Sequence, residues 1–179
     1  RFAAVADGMG GHQAGEVASA IAIREFTAEI RGKALSEEAL RDAVRRANSA
    51  IYEEGARDPL KRGMGTTLTA LWYDSDTIYL THVGDSRAYL LRNRALMQLS
   101  NDHSLVSELV ALGEITPEQA LTHPQRNFIT RALGTGKKTE ADILHLDFQP
   151  GDAWLLCSDG LTNHLRTAEI AEVLLQSIP

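Results

Sequence analysis

The sequence contains one cysteine, Cys157, so no internal disulfide is available and the chain suits a reducing, cytoplasmic setting. It has no apolar run of transmembrane length and no basic-then-apolar leader at its N-terminus, so no segment is a candidate membrane span. Positive charge is short as well. Eighteen Lys and Arg stand against 24 Asp and Glu, and the net charge of −6 argues against nucleic acid or an anionic membrane as a partner. Repeats, low-complexity tracts and linkers are missing, as is any cysteine–histidine spacing of the kind that binds zinc. What remains is a composition ordinary for a soluble globular protein, 44% hydrophobic and 23% charged, in 179 residues. That length suits one domain with a real core, read as a monomer.

Patterning supplies the elements. Residues 2–6 form a short apolar run fit for a buried strand. A helix is expected over 16–31, and a second from the N-cap Ser36 to a stop at Gly55, with its stripe at Leu40, Val44, Ala47 and Ile51. The basic residues Arg41, Arg45 and Arg46 fall on its polar, solvated face. The period then changes to two. Residues 67–73, 77–83, 88–91 and 95–99 read as a meander of antiparallel strands, with turns at Asp74-Ser75-Asp76 and Asn93-Arg94. Residues 102–123 return to helix, with a stop at Gly113 and a capping box at Thr116-Pro117-Glu118-Gln119. Strands at 142–148 and 153–158 and a helix from about Thr167 complete an α+β order, unlike a doubly wound parallel sheet.

The stretch AAVADGMGGHQAG at 3–15 places four glycines within eight residues, Gly8, Gly10, Gly11 and Gly15. Neither phosphate-cradling template fits. Gln13 stands where a dinucleotide loop needs its third glycine, and no lysine precedes Lys33 to make a Walker loop. The acid before the glycines is the stronger signal, because its setting recurs. FAAVADG and AWLLCSDG each end an apolar strand in Asp-Gly, and VGDSR puts a third aspartate at a glycine-marked strand break. Asp7, Asp85 and Asp159 are therefore acids at strand ends. Converging carboxylates repel unless a cation joins them, and an all-oxygen set suits Mg²⁺ or Mn²⁺.

Five segments occur in one family's order: ADGMGGH at 6–12, GMGTTL at 63–68, HVGDSR at 82–87, DHSLV at 102–106 and LLCSDGLT at 155–162. Together they resemble the metal-dependent serine/threonine protein phosphatases of type 2C, in particular the bacterial branch. The resemblance implies a four-layer α-β-β-α sandwich of two antiparallel sheets flanked by helices. It also implies two core Mn²⁺ or Mg²⁺ ions and a third, weaker one. By this resemblance Asp7 bridges the core ions and Gly8 offers a carbonyl ligand. Asp159 is a further core ligand that also touches the third ion, whose principal ligand is Asp85. Residues 102–127 are a flap, and Asn127 within it lies near the substrate. The implied reaction is hydrolysis of phosphoserine and phosphothreonine in proteins, serine/threonine kinases among them, by a water deprotonated between the two metals. Asp7 and Asp159 are catalytic through that water.

Some features depart from the family pattern. Met9 takes the place of a histidine that eukaryotic members carry, and His12 is a neighbour that could assist or merely support the site. The family's first strand, with an arginine and an acidic motif, and its last, with Asp-Asn, have no counterpart in 1–179, so the domain reads as incomplete at both ends. A catalytically silent regulatory or phosphoprotein-binding module is the alternative reading. Cys157 lacks the C-x5-R arrangement of a cysteine phosphatase and reads as a buried small hydrophobe. Ser86 and Ser158 read as turn or hydrogen-bonding residues, Thr66 and Thr67 as sheet support, and Trp72 and Trp154 as core. The histidines at 82, 103, 123, 145 and 164 read as structural or exposed. Arg87 is left between pairing with a carboxylate near the site and a solvated role.

Overall fold

A computed structural model describes residues 1–74 and 77–177, and the side chain of His12 lies outside the described set, as do Ser75 and Asp76 of the expected turn. Strands β1 (Phe2–Val5), β2 (Gly8–Met9), β3 (Gly65–Thr66), β4 (Leu68–Tyr73), β5 (Thr77–Val83), β6 (Arg87–Arg92), β7 (Ala95–Gln98), β8 (Asp142–Asp147) and β9 (Ala153–Cys157) make two main antiparallel sheets. One has the order β1-β4-β5-β8 and the other β7-β6-β9, while β2 and β3 form a small ribbon.

Helices α1 (His12–Ile30) and α2 (Glu37–Arg57) cover the first sheet. Alternation along β4 decides which side chain meets which layer: Leu68, Ala70 and Trp72 face the helices, whereas Leu71 and Tyr73 join Ile78, Leu80 and Ala88 between the sheets. On α1 the buried positions Ala18, Ile21, Ala22, Phe26 and Ile30 trace one helical face. Phe26 is fully buried and stacks on Phe2 at 5.8 Å, and burying such a ring contributes about 2–3 kcal/mol. Alanines on both helices, among them Ala18, Ala22, Ala43 and Ala47, leave room for the helices to pack closely. Beyond the second sheet lies α6 (Thr167–Ser177), which buries Ile170 and runs against β7, so the four-layer order holds.

Three boundaries differ from the sequence reading, each for a physical reason. Helix α1 begins at His12, four residues before the expected start. Gly11 at φ 89° serves as its N-cap, and Gly15 is already inside it, donating its N–H to the Gly11 carbonyl. Gly55 does not stop α2. It is buried within the helix, where a Cβ would lie 3.1 Å from the Lys61 carbonyl, and the helix runs on to Arg57 before Pro59. The meander, finally, is split. The chain leaves the first sheet at Val83 and enters the second at Arg87, with Gly84 at φ 108° making the crossing. Strands β8 and β9 divide in the same way, one on β5 and the other on β6. The first crossing carries Asp85, and β9 ends just before Asp159.

Candidate active site

Asp7 follows β1, and its peptide group is held from two sides. Its N–H donates to Thr67 Oγ1 at 2.9 Å, while its carbonyl accepts from the Thr67 N–H and the Thr66 hydroxyl, each at 2.9 Å. Both threonines are buried, and Thr67 Oγ1 lies 2.7 Å from Ser86 Oγ, so the clamp extends to the residue beside Asp85. Gly8 pairs with Thr66 and presses against α1. A Cβ there would sit 1.9 Å from the Gly15 carbonyl oxygen. The glycine after Asp7 is thus required for the backbone approach of loop to helix, beyond any freedom it gives its own carbonyl.

Asp159 follows β9 from the other sheet and opens a short helix, α5 (Asp159–Thr162). One of its oxygens accepts from Asn163 Nδ2 at 3.0 Å. Asp7 and Asp159 meet within hydrogen-bonding reach. Burial first, and the Asp159 charge second, raise the Asp7 carboxyl above its ordinary range, against a lowering contact from Ser158. Asp85 is pushed up to about 6, chiefly by burial and then by the charges of Asp159, Asp102 and Asp7. The acids meet pairwise: among the described residues no three acidic, histidine or cysteine side chains converge as a ready ligand set. Even so, the donors present fit a hard divalent cation. They are oxygens, half-buried, and mutually repelling in a way that bound positive charge relieves.

The segment after β7 closes the same end of the sandwich. Arg87 at the start of β6 holds Asp102 with Nε and Nη2, at 2.6–3.0 Å. Burial opposes the Arg87 charge, but the Asp102 bonds outweigh it and raise its pKa. The neighbouring His103 is buried: its Nδ1 accepts the Gly84 N–H at 3.0 Å, and its backbone N–H donates to the Gly84 carbonyl at 2.8 Å. Its Nε2 faces Asp142 and Arg131. From this root rise α3 (Leu105–Ala111), capped by Ser104, and α4 (Pro117–Thr122), with the expected capping box at Thr116. A cleft of about 210 Å³ lies between this helical segment and the acids, lined by Asp85, Asp102, Asp159, Arg126, Asn127 and Asn163, among others.

Of the residues marked by sequence, Asp7 meets Asp159, Asp85 feels the charge of both, Gly8 follows Asp7 in the ribbon, and Asn127 lines the cleft with Asp85 and Asp159. His12 is the first residue of α1, and its side chain falls outside the described set. Thr66 and Thr67 hold Asp7 itself, which is more than sheet support. Asn163 and Asp102 were not singled out. Asp102 carried a signal, since it opens DHSLV, whereas Asn163 carried none. Cys157 is buried, and burial raises its thiol pKa, the opposite of what a nucleophile needs. No helix among the described residues is long and apolar enough to cross a membrane.

Residues 1–178 match the family described as protein phosphatase 2C. The serine/threonine phosphatase stp of Listeria monocytogenes is 46% identical over 179 residues, covering 95% of this chain and 70% of that protein. The phosphatase PstP of Mycobacterium tuberculosis is 46% identical over 178 residues, 97% of this chain but 34% of its own length. A crystal structure of PstP superposes with a TM-score of 0.89 at 44% identity, covering 97% of this chain and 74% of that one. A structure of the PstP catalytic domain in complex with two manganese ions gives 0.88 at 42% identity, over 100% and 75%. By the match over residues 1–178 and the 46% identity to stp over most of both chains, the chain belongs to the protein phosphatase 2C family.

Proposed function

We infer that this chain is a metal-dependent protein phosphatase that hydrolyses phosphoserine and phosphothreonine in proteins. The observation that carries the reading is the meeting of Asp7 and Asp159, delivered by different sheets to one end of the sandwich, with Asp85 beside them. Asp7, the Gly8 carbonyl and Asp159 would hold two core Mn²⁺ or Mg²⁺ ions, and Asp85 with Asp159 a third, weaker one. When bound, such ions lower the pKa of water and neutralise charge on the phosphoryl oxygens.

The protein's own residues set the stage for that chemistry. The two threonines fix the Asp7 backbone, and with it the point from which its carboxylate projects. Asn163 occupies one oxygen of Asp159 and orients the other. Residues 102–127 act as the flap over the cleft, where Asn127 contacts the substrate beside the phosphorylated residue. A cleft this small and polar admits a phosphorylated side chain and leaves the rest of the substrate outside. The reading extends to phosphorylated proteins as substrates, a serine/threonine kinase among them, and to a monomer in the cytoplasm, which a lone buried cysteine suits.

Asp159→Asn tests the reading. It keeps an acceptor for Asn163 and removes the charge. Turnover of a phosphopeptide with Mn²⁺ should vanish, and calorimetry should record weaker Mn²⁺ binding with the melting temperature little changed. Asp85→Ala should spare the tighter Mn²⁺ sites and lower turnover. Full activity in the Asp159→Asn protein would remove this acid from the reaction. An inactive wild type that still binds phosphoproteins would favour a silent binding module.

A further inference from the structure

A groove remote from the acids' cleft runs between α2 and the loop leading into β8. Arg41 and Arg45 on the helix and Lys137 and Lys138 on the loop line it over a floor of Val44 and Ala141, with a volume of about 470 Å³. Four cations against the single lining acid Glu140 is an unusual concentration in a chain of net charge −6. Arg41 pairs with Glu37 and Arg45 with Asp42 along the helix, but all four side chains are well exposed, and such pairs are readily exchanged for another anion. Lys137 and Lys138 are exposed and have no carboxylate partner among the described residues.

The loop that carries the lysines is rigidly seated. Buried Asn48 uses both ends of its amide on it, donating to the Gly136 carbonyl at 3.0 Å and accepting the Gly134 N–H at 2.8 Å. Gly134 lies so close to α2 that a Cβ would be 2.1 Å from Ile51 Cγ2. Cations held on a fixed backbone lose less freedom when they engage an anionic partner. Beyond Lys138 the groove adjoins a second depression that contains Arg131, which is tied to Asp142 at the root of the proposed flap. The basic course therefore runs from α2 toward the edge of the catalytic end.

We propose that this groove docks an acidic segment of the phosphoprotein substrate, separate from the phosphorylated residue that enters the cleft. The proposal rests on the phosphatase reading above. A polypeptide fits better than a nucleic acid, because no aromatic side chain lines the groove for base stacking.

The test uses the intact protein and two substrates, p-nitrophenyl phosphate and a phosphopeptide with an acidic tail, alongside a fluorescein-labelled oligoglutamate peptide followed by anisotropy. Lys137→Glu/Lys138→Glu should weaken oligoglutamate binding and raise the phosphopeptide KM by about tenfold each, equivalent to roughly 1.4 kcal/mol. The phosphopeptide kcat and the turnover of p-nitrophenyl phosphate should stay at wild-type values. Lys137→Gln/Lys138→Gln should show a smaller change in the same direction, and melting curves for both variants should overlay the wild type. Absence of oligoglutamate binding to an active wild type overturns the docking proposal alone. So does equal or tighter binding of an oligothymidylate of matched charge. An inactive wild type that binds oligoglutamate overturns the phosphatase reading and spares the groove.

Discussion

Asp7 and Thr67 bond to each other twice: the Asp7 N–H donates to Thr67 Oγ1, and the Thr67 N–H donates to the Asp7 carbonyl, both at 2.9 Å. The second bond is backbone alone, but the first needs the hydroxyl. Thr67→Val keeps the shape and removes it, leaving the Asp7 N–H and Ser86 Oγ without their partner in a buried site. A loss of about 1–3 kcal/mol is expected in urea unfolding. The Mn²⁺ affinity should fall with it, because the acid is no longer fixed, whereas Thr67→Ser should restore both. A valine variant matching the wild type in unfolding and Mn²⁺ titration would show that the clamp is dispensable.

Arg87 and Asp102 join the second sheet to the first residue of the proposed flap. The pair is partly exposed, so solvent screens it, and Asp102→Ala should cost only about 1–2 kcal/mol of stability. Its effect on function should be larger in KM than in kcat, because the flap root loses its anchor while Asp7 and Asp159 stay put. A double-mutant cycle with Arg87→Ala measures the coupling, and a coupling near zero would assign the anchoring to His103 instead.

The elements that sequence revealed best were those whose local signals act alone. Ser36 and Thr116 cap their helices through their own side chains, and β5 begins and ends where alternation placed it. Failures came where distant parts of the chain decide. Gly55 reads as a stop because glycine usually ends helices, yet here Lys61 packs over it. A meander reading follows from successive alternating strands, yet Gly84 and the 148–152 turn send the chain to another sheet. The acids were legible because strand-Asp-Gly repeats at Asp7 and Asp159, while Asn163 became visible only when α5 folded it back onto Asp159. The grip of Thr67 on Asp7 spans 60 residues and has no local trace in the sequence.

Gly84 shows how tightly the crossing is built. Its φ of 108° disfavours any side chain, and a Cβ would meet Thr67 Cγ2 at 2.6 Å and Cβ at 2.7 Å. Gly84→Ala should therefore cost about 3 kcal/mol or more, through backbone strain and overpacking together. Displacement of Thr67 should loosen Asp7 as well, so Mn²⁺ affinity should drop even at temperatures where the variant remains folded. Circular dichroism and Mn²⁺ calorimetry on the same sample check both halves. An alanine variant that melts with the wild type would mean that the crossing relaxes freely.

His82 gives the fold a pH dependence of its own. It is fully buried between the sheets, with Nδ1 3.0 Å from Thr69 Oγ1 and Nε2 donating to the Asn101 carbonyl at 3.0 Å. Burial above all, and then the nearby His103, hold its pKa down to about 4, against the opposing pull of the Asn101 carbonyl, Asp102 and Asp142. In the unfolded chain the ring takes up its proton near its ordinary value of 6.5, so between pH 6.5 and 4 the unfolded state binds more protons than the folded one. Stability therefore rises with pH across this window, and the neutral ring's contribution is complete above it. The depression corresponds to about 3 kcal/mol lost between pH 6.5 and 4. Urea unfolding at intervals through that range measures the slope, and His82→Gln, which keeps polar atoms without a titrating ring, should flatten it by that amount. An unchanged slope in the glutamine variant would assign the acid sensitivity to His103 and the carboxylates around it.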